Sequence, residues 1–278
     1  MIESNAQMQK TASKPAVDPS SSLAGHRVVS RDEWLKERTA LVAKERAAMK
    51  AHDELSAQRR ALPWVKIEKN YVFDSPTGKV TLADLFDGRS QLFIKHFMMG
   101  PGQTNQCVGC ALEVDHLEGL LPHLQNHDVS YVAVARAPID EIEAYRKRMN
   151  WKFPWVSSYG SDFNFDFNVS FTPEELKSGK AFYNFREMDP GIEDLSGDSV
   201  FFKDAAGQIF HTYSVFARGA EQFLGIYAFF DLMPKGRNEN DKHTLADWAR
   251  PHDMYGQGGM VEPTGRYHAS SCGCSAHK

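Results

Sequence analysis

No run of roughly 18 or more apolar residues occurs in the chain, so no bilayer-spanning helix is expected. The formal net charge is only −4, and no basic block invites nucleic acid or an anionic membrane surface. P-loop, GxGxxG, GxSxG and internal repeats are all missing, which removes the commonest nucleotide-binding and serine-hydrolase readings. Cysteine is scarce: four in 278 residues are too few for a structural disulfide framework. The opening stretch MIESNAQMQKTASKPAVDPSSSLAGH has no apolar core of the signal-peptide kind, so a cytoplasmic location is expected. In a reducing compartment, cysteines placed close together point to redox chemistry or to metal.

What is present is enough for a sizeable core. Hydrophobic residues make up 42 %, with 18 Phe and 9 Tyr among them. Residues 1–27 are rich in Ser, Ala, Pro and Gln without hydrophobic period and are expected to be disordered. Residues 28–62 form an amphipathic helical arm, opened by the S-x-x-E capping box of Ser30 and Glu33 and stopped by Pro63. Trp34, Leu41, Ala48, Leu55 and Leu62 recur every seven residues, widened by Leu35, Val42 and Met49. The second heptad position holds Arg38, Glu45, His52 and Arg59, so the stripe suits packing within one domain better than a coiled coil, with a homodimer through this helix as the alternative.

From residue 63 to 235 the pattern is α/β. Short strands flank a Pro76-Thr77-Gly78 turn, SQLFIKHFMM (90–99) reads as a strand buried on both faces, and DVSYVAVAR (128–136) as a second. PIDEIEAYRKRMN reads as a helix beginning near Pro138, FPWVSS as a third strand, and SVFFKDAAGQIFHTYSVFARG as a hairpin turning near Gly207. The order β-α-β-α-β fits a parallel sheet with crossover helices. Strict alternation of Phe163, Phe165, Phe167, Val169 and Phe171 argues for a further strand, a short helical connection being the alternative. Residues 236–278 form a polar, Gly-rich tail ending in HASSCGCSAHK.

The chemistry concentrates in CVGC, Cys107 to Cys110, at the carboxyl end of the first long strand. Positions 107, 110, 114, 117, 121 and 124 share one helical face, and the last four (Val114, Leu117, Leu121, Leu124) are apolar and directed at the sheet. Two cysteines three apart on such a face bring their sulfurs within bonding reach. Free N–H groups at the helix start favour a thiolate at Cys107, while Cys110, one turn in, stays protonated until it resolves a mixed disulfide. The alternatives are a zinc or copper site built from this pair with Cys272, Cys274, His268 and His277 of the tail, or two ordinary core cysteines. The tail thiols could also shuttle electrons to Cys107.

YVFDSPTGKVTLADLFDGRSQLFIKHFMMGP, CVGC, DVSYVAVARAPIDEIEAYRKRMNWKFPWVSSYGSDFNFDF, SVFFKD with GQIFHTYSVFARG, and WARPHDMY near Trp248 together resemble domain-of-unknown-function family 899. The resemblance covers roughly residues 28–235. It implies a thioredoxin-like three-layer fold with a central mixed sheet over residues 63–235, and a dithiol–disulfide oxidoreductase with Cys107 and Cys110 at the redox position. The motif lacks the central Gly-Pro of thioredoxins, and Gly197, Asp198 and Ser199 stand where thioredoxins carry a cis-proline. Val108 and Gly109 bring no positive charge, so the thiolate is expected to depend on the helix end alone.

The expected activity is thiol–disulfide exchange on a protein or small-molecule disulfide, without a cofactor and without nucleic acid or membrane; a peroxiredoxin-like thiol peroxidase is an alternative. Of the other polar candidates, Glu113 is expected as a solvated helix charge rather than a proton relay, and Asp115 and His116 as surface groups. Arg136 is expected in a structural ion pair, His211 and Tyr213 half-buried on a strand, and Trp151 and Trp155 in the core. His123 and His127 are not expected to pair on metal, nor Asp162 and Asp166 to form a calcium loop.

Overall fold

In SQLFIKHFMM, apolar residues on both sides of the strand demand cover on both faces, and they receive it at the centre of an eight-stranded sheet. The computed structural model describes residues 26–237, 239 and 245–269. Cys272, Cys274, His277 and nearly all of the segment expected to be disordered lie outside them. Two units separate, Met1–Ala61 and Leu62–Lys278.

The first unit contains α1 (Arg31–Arg60). Ser30 caps it, its Oγ accepting from Glu33 N–H at 3.2 Å. The reciprocal half of the capping box is replaced: the Glu33 carboxylate pairs with Arg27. Asp32 and Glu33 in the first turn and Arg59 and Arg60 in the last oppose the helix dipole. No residue of α1 is buried, and Trp34, Leu35, Leu41, Met49 and Leu55 stay exposed.

The second unit begins with β1 (Val65–Lys66) and the hairpin β2 (Val72–Ser75) and β3 (Gly78–Thr81), turning at Pro76-Thr77 as the sequence requires. Then follow β4 (Gln91–His96), α2 (Val108–Val114), α3 (Leu121–Asn126), β5 (Val129–Ala135), α4 (Ile139–Arg148) and β6 (Trp155–Ser157). Next come α5 (Phe163–Asp166), α6 (Pro173–Ser178), a small hairpin of β7 (Ala181–Tyr183) and β8 (Arg186–Met188), the long hairpin of β9 (Gly197–Lys203) and β10 (Ile209–Phe216), and α7 (Gly225–Phe230). A last hairpin pairs β11 (Met260–Val261) with β12 (Tyr267–His268).

The sheet order is β1-β10-β9-β4-β5-β6-β2-β3. At its centre β4 and β5 run parallel, joined through α2 and α3, and β9 lies antiparallel to β4 with β10 beyond it. A βαβ unit followed by ββα in the order β10-β9-β4-β5 is the thioredoxin-like arrangement, here widened on both edges. The two-residue side-chain period of the strands sorts the core. Tyr131, Ala133 and Ala135 of β5 face a cluster with Cys110, Val114, Ile142, Tyr145, Trp151 and Trp155. Val132 and Val134 face the opposite cluster with Phe73, Phe86, Leu92, Ile94, Phe163 and Phe201.

Two expectations change. The alternating segment 163–171 is not a strand: its first part is α5, and Phe163 and Phe167, four apart, insert together among Tyr71, Phe73 and Phe201. In so short a segment helical and alternating spacings overlap, and the aromatic pocket on that face decides. The helix after Cys107 is also not continuous to Leu124. It ends at Val114, a 3-10 turn spans Leu117–Gly119, and α3 restarts with Pro122 in its first turn, where a missing N–H costs nothing. The apolar stripe survives the break, since Leu117 is buried and Leu121 and Leu124 pack on the same cluster.

Candidate active site

β4 ends at His96, the chain crosses the Gly100-Pro101-Gly102 turn, and α2 starts with Cys107 as its N-cap. Cys107 has extended backbone angles, φ −67° and ψ 120°, which turn its side chain back over the first helical turn. Its sulfur accepts the N–H of Cys110 at 3.3 Å. Both cysteines are free and buried, Cys107 6 % and Cys110 2 % exposed. The Cys107 thiol is lowered to about 7, chiefly because the Cys110 thiol donates to its sulfur; the N–H groups of Cys110 and Gly109 and the Lys95 ammonium add to this against burial. Cys110 moves the other way: burial raises it, and donation to Cys107 holds its proton. The two thiols thus shift in opposite directions.

Sequence reasoning missed what lies beneath the pair. Lys95 of β4 is 1 % exposed, and alternation along the strand points it to the face that α2 covers. Its ammonium pairs with Glu113 of α2 and lies 3.5 Å from Asp198 Oδ1; Asp198 is its register partner on β9. Glu113 is therefore buried, not solvated, and the thiolate does not depend on the helix start alone. Burial by itself would push the Lys95 ammonium down, but the charges of Asp198 and Glu113 outweigh it and raise it well above its ordinary value. Burial likewise raises Asp198, against the pull of Lys95. The two directions compete, since a protonated Asp198 no longer attracts the lysine. The direct ion pair with Glu113 adds to the raising of Lys95. The one trace of it in the sequence is that Lys95 stands within the mostly apolar run SQLFIKHFMM, which does not mark its partners.

A cavity of about 420 Å³ opens beside the two sulfurs, walled by Met98, Tyr183, Ser196, Leu224, Pro263 and Thr264. Ser196 leads into β9; its carbonyl accepts from the Tyr183 hydroxyl at 2.7 Å, and no cis peptide bond occurs among the described residues. Gly197 is required where it stands: a Cβ there would lie 2.7 Å from the Phe216 ring. Pro263 and Thr264 belong to the segment read as tail. Its residues 245–269 are packed, with Leu245, Trp248, Ala249, Met254, Val261 and Tyr267 set against Val108 and Leu112 of α2. Val108 N–H donates to Gly265 O at 2.9 Å and Tyr267 N–H to Gln106 O at 3.1 Å, bracketing Cys107. Asp253 binds Arg148 at 2.8 Å and His252 binds Asp115 at 2.6 Å, fastening this strap to α4 and α2.

The remaining candidates fall out separately. Arg136 makes a two-pronged pair with Asp194 at 2.8 and 2.9 Å, the expected structural use. Asp115 also accepts from Trp151 Nε1 at 2.9 Å and is not a free surface group, whereas His116 is exposed. Trp151 and Trp155 are core residues, and His211 and Tyr213 are half-buried on β10. His123 and His127 are separated by the end of α3. Asp162 and Asp166 both bind Lys69, at 2.6 and 2.8 Å. His268 meets Asn105 at 2.9 Å and pairs with Glu262. Among the described residues no group of three or more His, Cys, Asp or Glu could hold a metal ion, and no helix is long and apolar enough to cross a membrane.

Similar solved structures include peroxidoxin BcpB from Mycobacterium tuberculosis, 13 % identical with a TM-score of 0.37, over 59 % of this chain and 94 % of that one. Peroxiredoxin Q of Xanthomonas campestris is 15 % identical with a TM-score of 0.37, over 57 % of this chain and 88 % of that one. Each likeness is partial; the thioredoxin-like fold rests on this chain's own strand order. No curated protein matches the chain. The model of the family described as bacterial protein of unknown function, DUF899, matches residues 23–255, and the chain belongs to that family.

Proposed function

We propose that this protein is a thiol–disulfide oxidoreductase in which Cys107 attacks and Cys110 resolves. The observation that carries the reading is the N-cap geometry: the Cys107 sulfur receives the backbone N–H of Cys110 at 3.3 Å at the wall of an open cavity that Cys110 also lines. The Cys107 thiolate attacks one sulfur of a protein or small-molecule disulfide, and the other sulfur leaves as a thiolate that takes up a proton. Cys110 then gives up its proton and attacks Cys107, and the second substrate sulfur departs. Two electrons and two protons pass to the substrate, and the Cys107–Cys110 disulfide remains. Lys95 stabilises the thiolate form of both cysteines, which matters most for the buried Cys110 as it ionises. No cofactor enters these steps.

The test is a Cys110→Ser variant, which stops after the first step and holds its substrate covalently on Cys107. Incubated with oxidised glutathione, it should gain one glutathione at Cys107 by mass spectrometry, while the unaltered chain should form the Cys107–Cys110 disulfide instead. Absence of both adducts would remove the reading. About one equivalent of zinc or copper retained through chelation would favour a metal-binding protein, and stoichiometric consumption of hydrogen peroxide with Cys107 sulfenic acid would favour a peroxidase.

A further inference from the structure

On the sheet face that carries Lys95 there is a second cavity, and neither cysteine lines it. Its volume is about 400 Å³, within the range of roughly 300–1,000 Å³ usual for small-molecule sites. Phe93 of β4 and Tyr131 of β5 form one wall as register partners, their rings 5.5 Å apart and 13° from parallel. Phe223 stands edge-on to Phe93 at 5.1 Å, and Leu117, Leu120 and Leu124 supply the apolar side opposite the sheet. Only two buried lining residues are polar, Glu113 and Tyr131. Glu113 already pairs with Lys95. Tyr131 is 6 % exposed, and its buried hydroxyl has no hydrogen-bond partner. Burial, reinforced by the Glu113 carboxylate, raises this phenol well above its ordinary value, so it keeps its proton and remains a donor. A buried donor left unmade is costly, and a site that offers one discriminates in favour of an occupant able to accept it.

We propose that this cavity binds an uncharged aromatic molecule of one or two rings bearing a carbonyl oxygen, which accepts from the Tyr131 hydroxyl while the rings lie against Phe93, Phe223 and the three leucines. An anion would meet the Glu113 carboxylate, and a cation would find walls that cannot replace its hydration. A protein surface fits less well than a small molecule, because the donor to be satisfied is a fully buried side-chain hydroxyl and not an exposed strand edge. Glu113 also lines the cysteine cavity, so the two sites share a wall. Binding in the second cavity nevertheless involves no sulfur and goes beyond the thiol–disulfide reading without resting on it.

The experiment titrates the reduced full chain with prodan, an uncharged two-ring aromatic ketone whose emission moves to the blue on leaving water. The shift should saturate at one equivalent. 2-Acetylnaphthalene should displace the probe better than 2-ethylnaphthalene, which has the same rings and no carbonyl. Tyr131→Phe should weaken prodan roughly three- to tenfold and erase the difference between the two competitors. It removes only an unsatisfied hydroxyl, so its urea midpoint should not fall. Leu120→Trp fills the cavity from a position that is 43 % exposed and should abolish saturable binding. No saturable binding to the unaltered chain overturns the proposal, and so does binding that survives both substitutions, since the probe then sits elsewhere. Loss in Leu120→Trp with an unchanged Tyr131→Phe overturns the part given to the hydroxyl and with it the ligand class. A chain that excludes prodan and sediments as a dimer, but as a monomer with Leu120→Trp, shows a second copy covering the cavity and also overturns it. Cys107→Ser should bind prodan as the unaltered chain does, so failure here leaves thiol exchange standing, and failure of thiol exchange leaves this site standing.

Discussion

The buried Lys95 ammonium, paired with Glu113 and near Asp198, is one of the causes that lower Cys107 and restrain the rise of Cys110. Replacing it with methionine keeps most of the volume and removes the charge. Glu113 then loses its ion-pair partner in a buried site, a change worth about 3–5 kcal/mol of stability for broken buried pairs. The expected outcome for Lys95→Met is a urea midpoint lowered accordingly, with the pH midpoint of Cys107 alkylation moved upward and the rate at pH 7 reduced several-fold. A lowered midpoint of unfolding with an unmoved alkylation profile would show that the lysine only holds the fold. At this scale the cysteines were legible and the lysine was not. CxxC announces itself by spacing, whereas the meaning of Lys95 depends on Glu113 from α2 and Asp198 from β9 arriving on the same side of the sheet.

Among the elements, the strap of residues 245–269 is the one whose sequence says least about its position. Its Gly- and Pro-containing run has no hydrophobic period, yet Ala249 is fully buried and Tyr267 nearly so. Its order comes from partners distant in sequence: Arg148, Asp115, Gln106 and Val108. Tyr267→Ala removes the aromatic ring that seats it, a loss of about 3–5 kcal/mol if the site cannot collapse. Because strap opening uncovers Cys107, the alkylation rate of Cys107 at fixed pH should rise several-fold in Tyr267→Ala, measured by quenched iodoacetamide labelling. An unchanged rate would mean that Cys107 is reached from the cavity side alone. The segment at α5 shows the opposite balance. Its aromatic anchors were legible, but helix and strand spacings both fitted them until Tyr71, Phe73 and Phe201 fixed where two rings could go.

For the whole molecule, the cysteine pair makes stability depend on pH in two directions. Folded Cys107 ionises near 7 and an ordinary thiol near 9.0, so between these values the unfolded chain binds more protons and stability rises with pH. Above that window the unfolded chain loses the Cys110 proton that the folded one retains, so stability falls again. The slope in the rising window is at most about 1.4 kcal/mol per pH unit. Urea unfolding of the reduced protein at pH 6.5 and 8.5 should show the gain, and Cys107→Ser should abolish it; an equal gain in that variant would assign it to other groups.

The sequence by itself determined the β-α-β-α-β order of the sheet centre, the helix start at CVGC, the apolar stripe behind it and the β2–β3 and β9–β10 hairpins, because these are set by local spacing and turn chemistry. Tertiary structure alone decided that a buried lysine and two carboxyls lie under the pair, and that a stretch read as tail closes over it. The physical reason is range. Periodicity reports which side of an element is apolar, but the protonation and exposure of a thiol are governed by charges and backbone groups within a few ångströms, which here come from β4, β9, α2 and the strap, drawn from segments more than a hundred residues apart.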